Sequence, residues 1–278
     1  IPLSNDIALK LSTMLGTSIN TWLNLQKTYD EKVLEIEKRE RESIEIDIVK
    51  IIDYNYFVSL GFVEDTKDSL EKVKNLCSYF KVASLQVFRE KDFLVNYRVG
   101  VSAVNEKNII NSRAWLQTAI NYGKEIETSN FNEKLLKSYL PEIRSMTLQK
   151  PSEFLPKLRK IFADCGVSFV LLPHLKNSGI NGAVKWINSN KVILALNNRR
   201  SYADTFWFSL FHEIKHVLQQ KIKTTIVNLA SMEEINEIDR TLEEDADKFA
   251  QDYLIPRKKY DQFLDQEVFT EKSITSFA

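Results

Sequence analysis

The sequence contains few of the residues that interrupt regular structure. Only seven glycines and six prolines occur in 278 residues, so we expect long elements, most of them helical. Two cysteines, Cys77 and Cys165, lie in the short apolar contexts NLCSYF and ADCGVSF. This pattern favours reduced, buried thiols in a reducing compartment over a disulfide framework, and it predicts a cytoplasmic protein.

The sequence also lacks a net charge and long apolar runs. Lysine plus arginine and aspartate plus glutamate each total 38, so no overall charge favours nucleic acid or an anionic membrane as a partner. No run of about eighteen apolar residues occurs, so no segment is predicted to cross a membrane. The hydrophobic content of 44% is sufficient for one large domain or for two to three small ones.

Apolar residues recur at three- and four-residue spacing in the first half of the chain, which predicts helices. Ser4 or Asn5 is expected to cap the first helix, and Gly16 to end it. A second, longer helix runs into the charged stretch EIEKRERE, which is predicted to be a solvent-exposed helical connector. Separate short helices are expected between about residues 44 and 145.

The pattern changes near residue 165. The segments GVSFVLLPHL and KVILALN are short runs rich in β-branched residues, separated by the turn-rich NSGINGAVKWINSN. They predict two or three strands of a small sheet. Two more helices are expected after it, at FWFSLFHEIKHVLQQ and at LEEDADKFAQDYLIP, so the predicted fold class is α+β and mostly helical.

The first of these two helices, residues 206–220, carries two of the three histidines in the chain. On a helix His212 and His216 lie one turn apart on one face and can direct imidazole nitrogens at one point. This is the spacing of the HExxH zinc motif, in which the histidines bind Zn²⁺ and the glutamate, here Glu213, is the general base. The competing interpretation is a helical scaffold in which the pattern occurs by chance.

A catalytic zinc normally has three protein ligands and one open position. In TLEEDADKFAQ, Glu243 lies on the same helical face as small residues and is the predicted third ligand, since a buried carboxylate needs a cation. Asp247, one turn further on, is predicted to accept a hydrogen bond from the second ring nitrogen of a ligand histidine. Glu244 is the alternative ligand, although it is otherwise expected to pair with Lys248 on the exposed face.

These two motifs together resemble the ImmA/IrrE family of gluzincin-like metallopeptidases. That family has a HExxH helix and a later E-x-x-A-[ND]-x-F-A helix ending near a proline, here Pro256. The similarity extends upstream through GVSFVLLPHL, INGAVKW and KVILALNNRR, so it covers about residues 150–260. It implies a zincin-like domain with a small sheet. In that domain Glu213 would be the catalytic glutamate, and the three zinc ligands would be His212, His216 and Glu243.

The sequence departs from that family at one position. The family usually has glycine before the second histidine, and this chain has Lys215, whose side chain is expected next to the ligand face.

Four further polar residues precede the motif: His174, Arg199, Arg200 and Asp204. His174, in LLPHLKN, competes with Glu243 as the third ligand, or stabilises an oxyanion, or is a structural histidine. Arg199 and Arg200 precede the histidine helix together with Asp204. They are expected to form a salt-bridged loop or to bind a substrate carbonyl.

The N-terminal segment PLSNDIALKLSTMLGTSINTWLNLQKTYD resembles the C-terminal half of an Xre-type helix-turn-helix domain, closest to the HigA antitoxin branch. The helix that would read the major groove is not in this chain. The resemblance implies operator DNA as a partner and a homodimer. The predicted domains are this segment with a connector helix at 1–40, a helical middle region at 41–148 and the metallopeptidase domain at 149–278.

The function expected from both resemblances is a zinc-dependent metallo-endopeptidase-like transcriptional regulator of antitoxin type. Its substrate would be a peptide bond in a partner or repressor protein. The alternative is a DNA-binding antitoxin or repressor whose zinc domain senses or neutralises a partner toxin without significant proteolysis. Sequence alone does not separate the two.

Overall fold

A computed structural model of the chain describes residues 2–89, 106–198, 202–220, 237–266 and 269–277. In these ranges the fold is mostly helical with one small three-stranded sheet, so the predicted α+β class is confirmed. The chain divides into two compact units, Ile1–Gln86 and Val87–Ala278. The division into three domains stays a prediction. None of the described helices is long and apolar enough to cross a membrane.

The first unit contains four helices: α1 (Asn5–Leu15), α2 (Ile19–Ile51), α3 (Tyr54–Ser59) and α4 (Ser69–Phe80). A short 3₁₀ helix, Leu85–Phe88, follows α4. The Ser4 hydroxyl caps α1 by accepting a hydrogen bond from the Ile7 amide. Gly16 ends α1 with a φ of 64°, a left-handed conformation that glycine adopts without strain. Both predicted ends of this helix are confirmed.

Helix α2 is longer than the sequence predicts. It continues through the charged stretch to Ile51, because no glycine or proline interrupts residues 19–51. Ion pairs one turn apart, such as Arg39 with Glu35 at 2.7 Å, line its exposed surface and favour the helical conformation slightly. The prediction of an exposed helical connector is confirmed, and that of a separate helix beginning near residue 44 is wrong.

The second unit contains seven helices and three strands in the described ranges. Before the sheet come α5 (Glu106–Glu125), α6 (Glu133–Ser145), a 3₁₀ turn (Met146–Leu148) and α7 (Pro151–Asp164). The strands are β1 (Val167–Leu172), β2 (Gly182–Asn188) and β3 (Lys191–Asn197). They are followed by α8 (Ala203–Leu218), α9 (Glu237–Leu254), α10 (Arg257–Leu264) and α11 (Glu271–Phe277).

The sheet has the strand order β1-β3-β2, with β1 parallel and β2 antiparallel to β3. Side chains of β3 alternate between two covered faces. Leu194 and Leu196 belong to the core that includes α6, α7 and α8. Ile193 lies on the other face and contacts α5. A β-carbon on Gly123 of α5 would be only 2.8 Å from the Ile193 side chain. Helices therefore cover both faces of the sheet.

Helix α8 is held by apolar contacts along one side. Its buried apolar residues belong to the core of the second unit: Trp207, Leu210, Phe211, Ile214 and Val217. Phe211 stacks on Tyr253 of α9 with ring centroids 5.2 Å apart, and Ala250 of α9 is fully buried beside this core. The packing fixes the rotation of α8, and with it the direction of the histidine pair.

Candidate metal centre

The side chains of His212, His216 and Glu243 converge between α8 and α9. The two Nε2 atoms lie 2.9 Å apart. Glu243 Oε2 is 3.3 Å from His212 Nε2, and Glu243 Oε1 is 3.3 Å from His216 Nε2. The histidines are almost completely buried, and the Glu243 side chain is 19% exposed. These are the three residues that the sequence analysis predicts as ligands, and together they could hold a metal ion.

Each histidine makes a hydrogen bond through its other ring nitrogen. His212 Nδ1 lies 2.8 Å from Asp247 Oδ1 of α9, the contact predicted for that aspartate. His216 Nδ1 lies 2.8 Å from Gln219 Oε1 at the end of α8. Both oxygens are acceptors in these contacts, so each imidazole carries its proton on Nδ1. The Nε2 lone pairs of both rings then point into the same small space.

The chemistry of this donor set fits a divalent cation. The two Nε2 atoms are 2.9 Å apart, and their lone pairs, which also face a carboxylate, repel one another unless positive charge lies between them. The corners of a tetrahedron with ligand bonds of about 2.0–2.1 Å are about 3.3 Å apart. His212 Nε2 lies 3.3 Å from Oε2 of Glu243 and His216 Nε2 lies 3.3 Å from Oε1, so the spacing of the three side chains is close to that of ligands around one ion, with the two Nε2 atoms slightly nearer to each other. Two imidazoles and one carboxylate are also a ligand set found in catalytic zinc sites.

The carboxyl group of Glu243 is held in its ionised form. Burial by itself raises its pKa, but hydrogen bonds from His212 and His216 in their fully protonated form, and the charge of these imidazolium groups, outweigh burial and lower the pKa to about 2. With the neutral imidazoles described above, a bound cation would take the place of those Nε2 protons. A carboxylate that stays ionised near neutral pH is the form that binds a metal.

The neighbouring Ala246 and Ala250 are fully buried, and their small side chains let α9 approach α8 closely.

Glu213 is buried with 4% exposure and lies against the first residue of β2. A β-carbon on Gly182 would be 2.5 Å from Glu213 Oε1 and 2.8 Å from its Cδ. Any side chain at position 182 would therefore collide with the Glu213 carboxylate. The absence of a side chain on Gly182 makes room for the predicted general base next to His212.

Lys215 is directed towards α9. Its ammonium nitrogen lies 2.8 Å from Asp245 Oδ2 and 5.5 Å from the centre of the Phe249 ring. The hydrogen bond from Lys215 lowers the pKa of Asp245. The lysine that replaces the glycine of the family pattern is thus held by a carboxylate on α9.

Comparisons with known proteins do not identify a family. A scan against models of protein families, a search of curated proteins and a search of solved structures each gave no match. The resemblance to ImmA/IrrE metallopeptidases and to Xre-type domains therefore stays a prediction carried by the motifs.

The other residues considered from sequence are not part of the converging group. Glu244 is exposed, and its carboxylate lies 3.7 Å from the guanidinium group of Arg240 in the preceding turn. Glu244 therefore pairs with Arg240 and not with Lys248, the predicted partner. His174 is half-buried in the segment after β1 and does not belong to the histidine–glutamate cluster. Asp204 is exposed in the first turn of α8. Arg199 and Arg200 lie outside the described residues.

Sequence reasoning missed two residues that contact the site. Gln219 accepts the hydrogen bond from His216, and its position three residues after that histidine on the same helix was the available signal. Gly182 leaves the space that Glu213 fills. No local pattern reveals this role, because the contact joins a strand to a helix that is distant in the sequence.

Proposed function

We propose that this protein is a zinc-dependent metallo-endopeptidase-like regulator with the zincin arrangement that its motifs resemble. The observation that carries the proposal is the convergence of His212 Nε2, His216 Nε2 and a Glu243 carboxylate oxygen from two helices. Chance occurrence of the HExxH pattern would not also bring a carboxylate from α9 to 3.3 Å from both imidazoles. This convergence argues against the competing interpretation of a chance motif on a helical scaffold.

The residues of the site divide the chemistry between them. His212, His216 and Glu243 would hold the zinc ion, and Asp247 orients the first histidine by accepting a hydrogen bond from its Nδ1. When bound there, zinc would lower the pKa of a water molecule to about 7 and polarise a peptide carbonyl. Glu213 takes the proton of the attacking water on a carboxylate oxygen and passes it to the leaving amine. Gly182 leaves room for that carboxylate, which is carried by the same helix as the two histidines.

Metal analysis and hydrolysis assays on purified variants test the proposal. Wild-type protein should contain stoichiometric zinc, and His212→Ala should lose it. Glu213→Gln should keep the zinc but hydrolyse a peptide library about 10²–10⁴-fold more slowly. Glu244→Gln, which changes an exposed carboxylate next to a ligand, is the matched control and should behave as wild type. Zinc-free wild-type protein, or full activity in Glu213→Gln, would contradict the peptidase proposal.

A second candidate function is DNA binding with a zinc domain that senses or neutralises a toxin without significant proteolysis. Its support is the resemblance of the N-terminal segment to Xre-type domains, and exposed apolar side chains of α1 and α2 are suited to contact with a partner protein: Met14, Leu15, Leu25 and Tyr29. Labelled DNA from upstream of the gene is the probe. If it binds wild type and Glu213→Gln equally and a reporter stays repressed in both, regulation does not require hydrolysis, and this candidate is preferred.

A further inference from the structure

We infer that Gln219 is a positioning residue of the metal centre. Its carboxamide holds His216 with the proton on Nδ1 and the Nε2 lone pair free to bind an ion, and it joins that histidine to the helix carrying Glu243. This inference rests on the proposed metal function.

The orientation of the carboxamide follows from its partners on α9. Gln219 Nε2 lies 3.0 Å from the Leu242 carbonyl oxygen and 3.3 Å from Asp245 Oδ2. A carbonyl oxygen has no proton to donate, so this end of the carboxamide must be the NH₂ group. The other end, Oε1, therefore faces His216 at 2.8 Å.

The orientation of the amide decides the tautomer of the histidine. Since Oε1 can only accept, His216 Nδ1 must be the donor and carry the proton. A neutral imidazole protonated on Nδ1 has its lone pair on Nε2. That is the atom 2.9 Å from His212 Nε2 and 3.3 Å from Glu243 Oε1. The Leu242 carbonyl therefore fixes the orientation of the Gln219 carboxamide, and the carboxamide in turn fixes which nitrogen of His216 carries the proton.

The same carboxamide connects His216 on α8 to the backbone of α9 next to Glu243. Leu242, whose carbonyl it contacts, immediately precedes Glu243 in α9. Gln219 follows the last residue of α8, and the end of a helix has few intrahelical contacts. His212 is fixed differently, by direct contact of Nδ1 with the Asp247 carboxylate on α9. In both cases α9 supplies the group that orients a histidine of α8.

Substitution of two adjacent glutamines gives a matched test. Gln219→Leu keeps the side-chain bulk but removes the acceptor and donors. Gln220→Leu changes the next residue, whose amide contacts Glu133 at 2.6 Å and not a ligand histidine. In a competition assay with a chelator, zinc affinity should fall about 10- to 100-fold in Gln219→Leu and stay at the wild-type value in Gln220→Leu.

Proton NMR of the Co²⁺-substituted protein provides a readout that does not depend on activity. Wild-type protein should show two slowly exchanging imidazole N–H signals, one from each ligand histidine. Gln219→Leu should lose one of them, because no acceptor protects the His216 Nδ1 proton from exchange. Gln219→Glu retains an acceptor, so it should restore that signal while losing the contact with the Leu242 carbonyl.

The outcomes separate this inference from the proposed function. If wild-type protein binds neither Zn²⁺ nor Co²⁺, the metal function is wrong and the inference falls with it. If wild type binds both metals but Gln219→Leu matches it in affinity and in both N–H signals, only the role of Gln219 is overturned. Lower affinity with both signals preserved would likewise reject orientation of His216 in favour of general loss of helix packing.

Discussion

Lys215 Nζ lies 2.8 Å from Asp245 Oδ2, and this ion pair fixes a lysine at the position before the second histidine of the motif. The lysine is therefore paired with Asp245, whereas the Nε2 atoms of His212 and His216 face Glu243 of the same helix. A long side chain at position 215 is compatible with an assembled ligand cluster. The sequence predicts only that this side chain lies next to the ligand face, and the structure shows which group holds its ammonium nitrogen.

Removing the Lys215 side chain should affect stability and not metal binding. The pair is partly exposed, at 24% and 50% for the two side chains, so Lys215→Ala should lower the free energy of unfolding by about 0.2–1 kcal/mol. Zinc affinity should be unchanged. Urea unfolding and chelator competition measure the two quantities, and Lys258→Ala, an exposed lysine on α10, is the control. A large change in zinc affinity would contradict the assignment of Lys215 to α9.

The stability contributed by this pair should depend on pH. The hydrogen bond from Lys215 lowers the pKa of folded Asp245, so the contribution is fully present above the ordinary aspartate pKa of about 3.9. It is lost as the pH falls through the lower folded value. The difference in urea stability between wild type and Lys215→Ala should therefore shrink below about pH 4. A difference that stays constant from pH 7 to pH 3 would indicate lost packing instead of lost charge pairing.

Gly182→Ala should displace the predicted general base. The new β-carbon would lie 2.5 Å from Glu213 Oε1, and such overpacking costs about 1–3 kcal/mol. Zinc content should be retained, because the three ligands are not touched, while peptide hydrolysis should fall.

A double-mutant cycle checks the cause of that loss. In a Glu213→Ala background the carboxylate that the new β-carbon would clash with is absent. Gly182→Ala should therefore lower the free energy of unfolding much less than it does in wild type. Denaturant unfolding of the four proteins measures the coupling. Additive effects would show that Gly182 is required for the strand itself and not for the glutamate.

Asp247→Ala should weaken zinc binding by about 10- to 100-fold, because His212 Nδ1 would lose its acceptor. Asp247→Asn keeps an oxygen that can accept, so its loss should be smaller. Chelator competition ranks the variants, with Glu244→Ala as the exposed control on the same helix. If all three bind zinc as wild type does, the hydrogen bond to Asp247 does not support the ligand.

Zinc should stabilise the fold through the ligands it joins. An ion that binds only the folded state adds about 2.7 kcal/mol at a free concentration one hundred times its Kd. For wild-type protein that a chelator has first freed of metal, the midpoint temperature of thermal unfolding should therefore rise when zinc is added. Glu243→Gln should lose most of this shift and Glu244→Gln should keep it. An equal shift in both variants would mean that zinc binds elsewhere.

The parts of the fold that follow local rules were predictable. Ser4 and Gly16 mark the two ends of α1 because capping and left-handed conformations depend on the residue type at one position. The strands β1 and β3 are recognisable as short β-branched runs. Helix α7 received no specific prediction, although Phe154, Leu158 and Phe162 recur at helical spacing and pack into the core. The length of α2 was underestimated because a charged stretch does not by itself end a helix.

The sequence by itself determined which side chains share a helical face: His212 with His216 on one helix and Glu243 with Asp247 on another, since helical periodicity is local. Only the tertiary structure decided that these two faces meet. The packing of α8 on the sheet and on α9 brings Glu243 to 3.3 Å from both imidazoles, turns Lys215 to Asp245 and Gln219 to Leu242, and sets Gly182 against Glu213. These contacts join residues of different elements, so no periodicity along the chain encodes them.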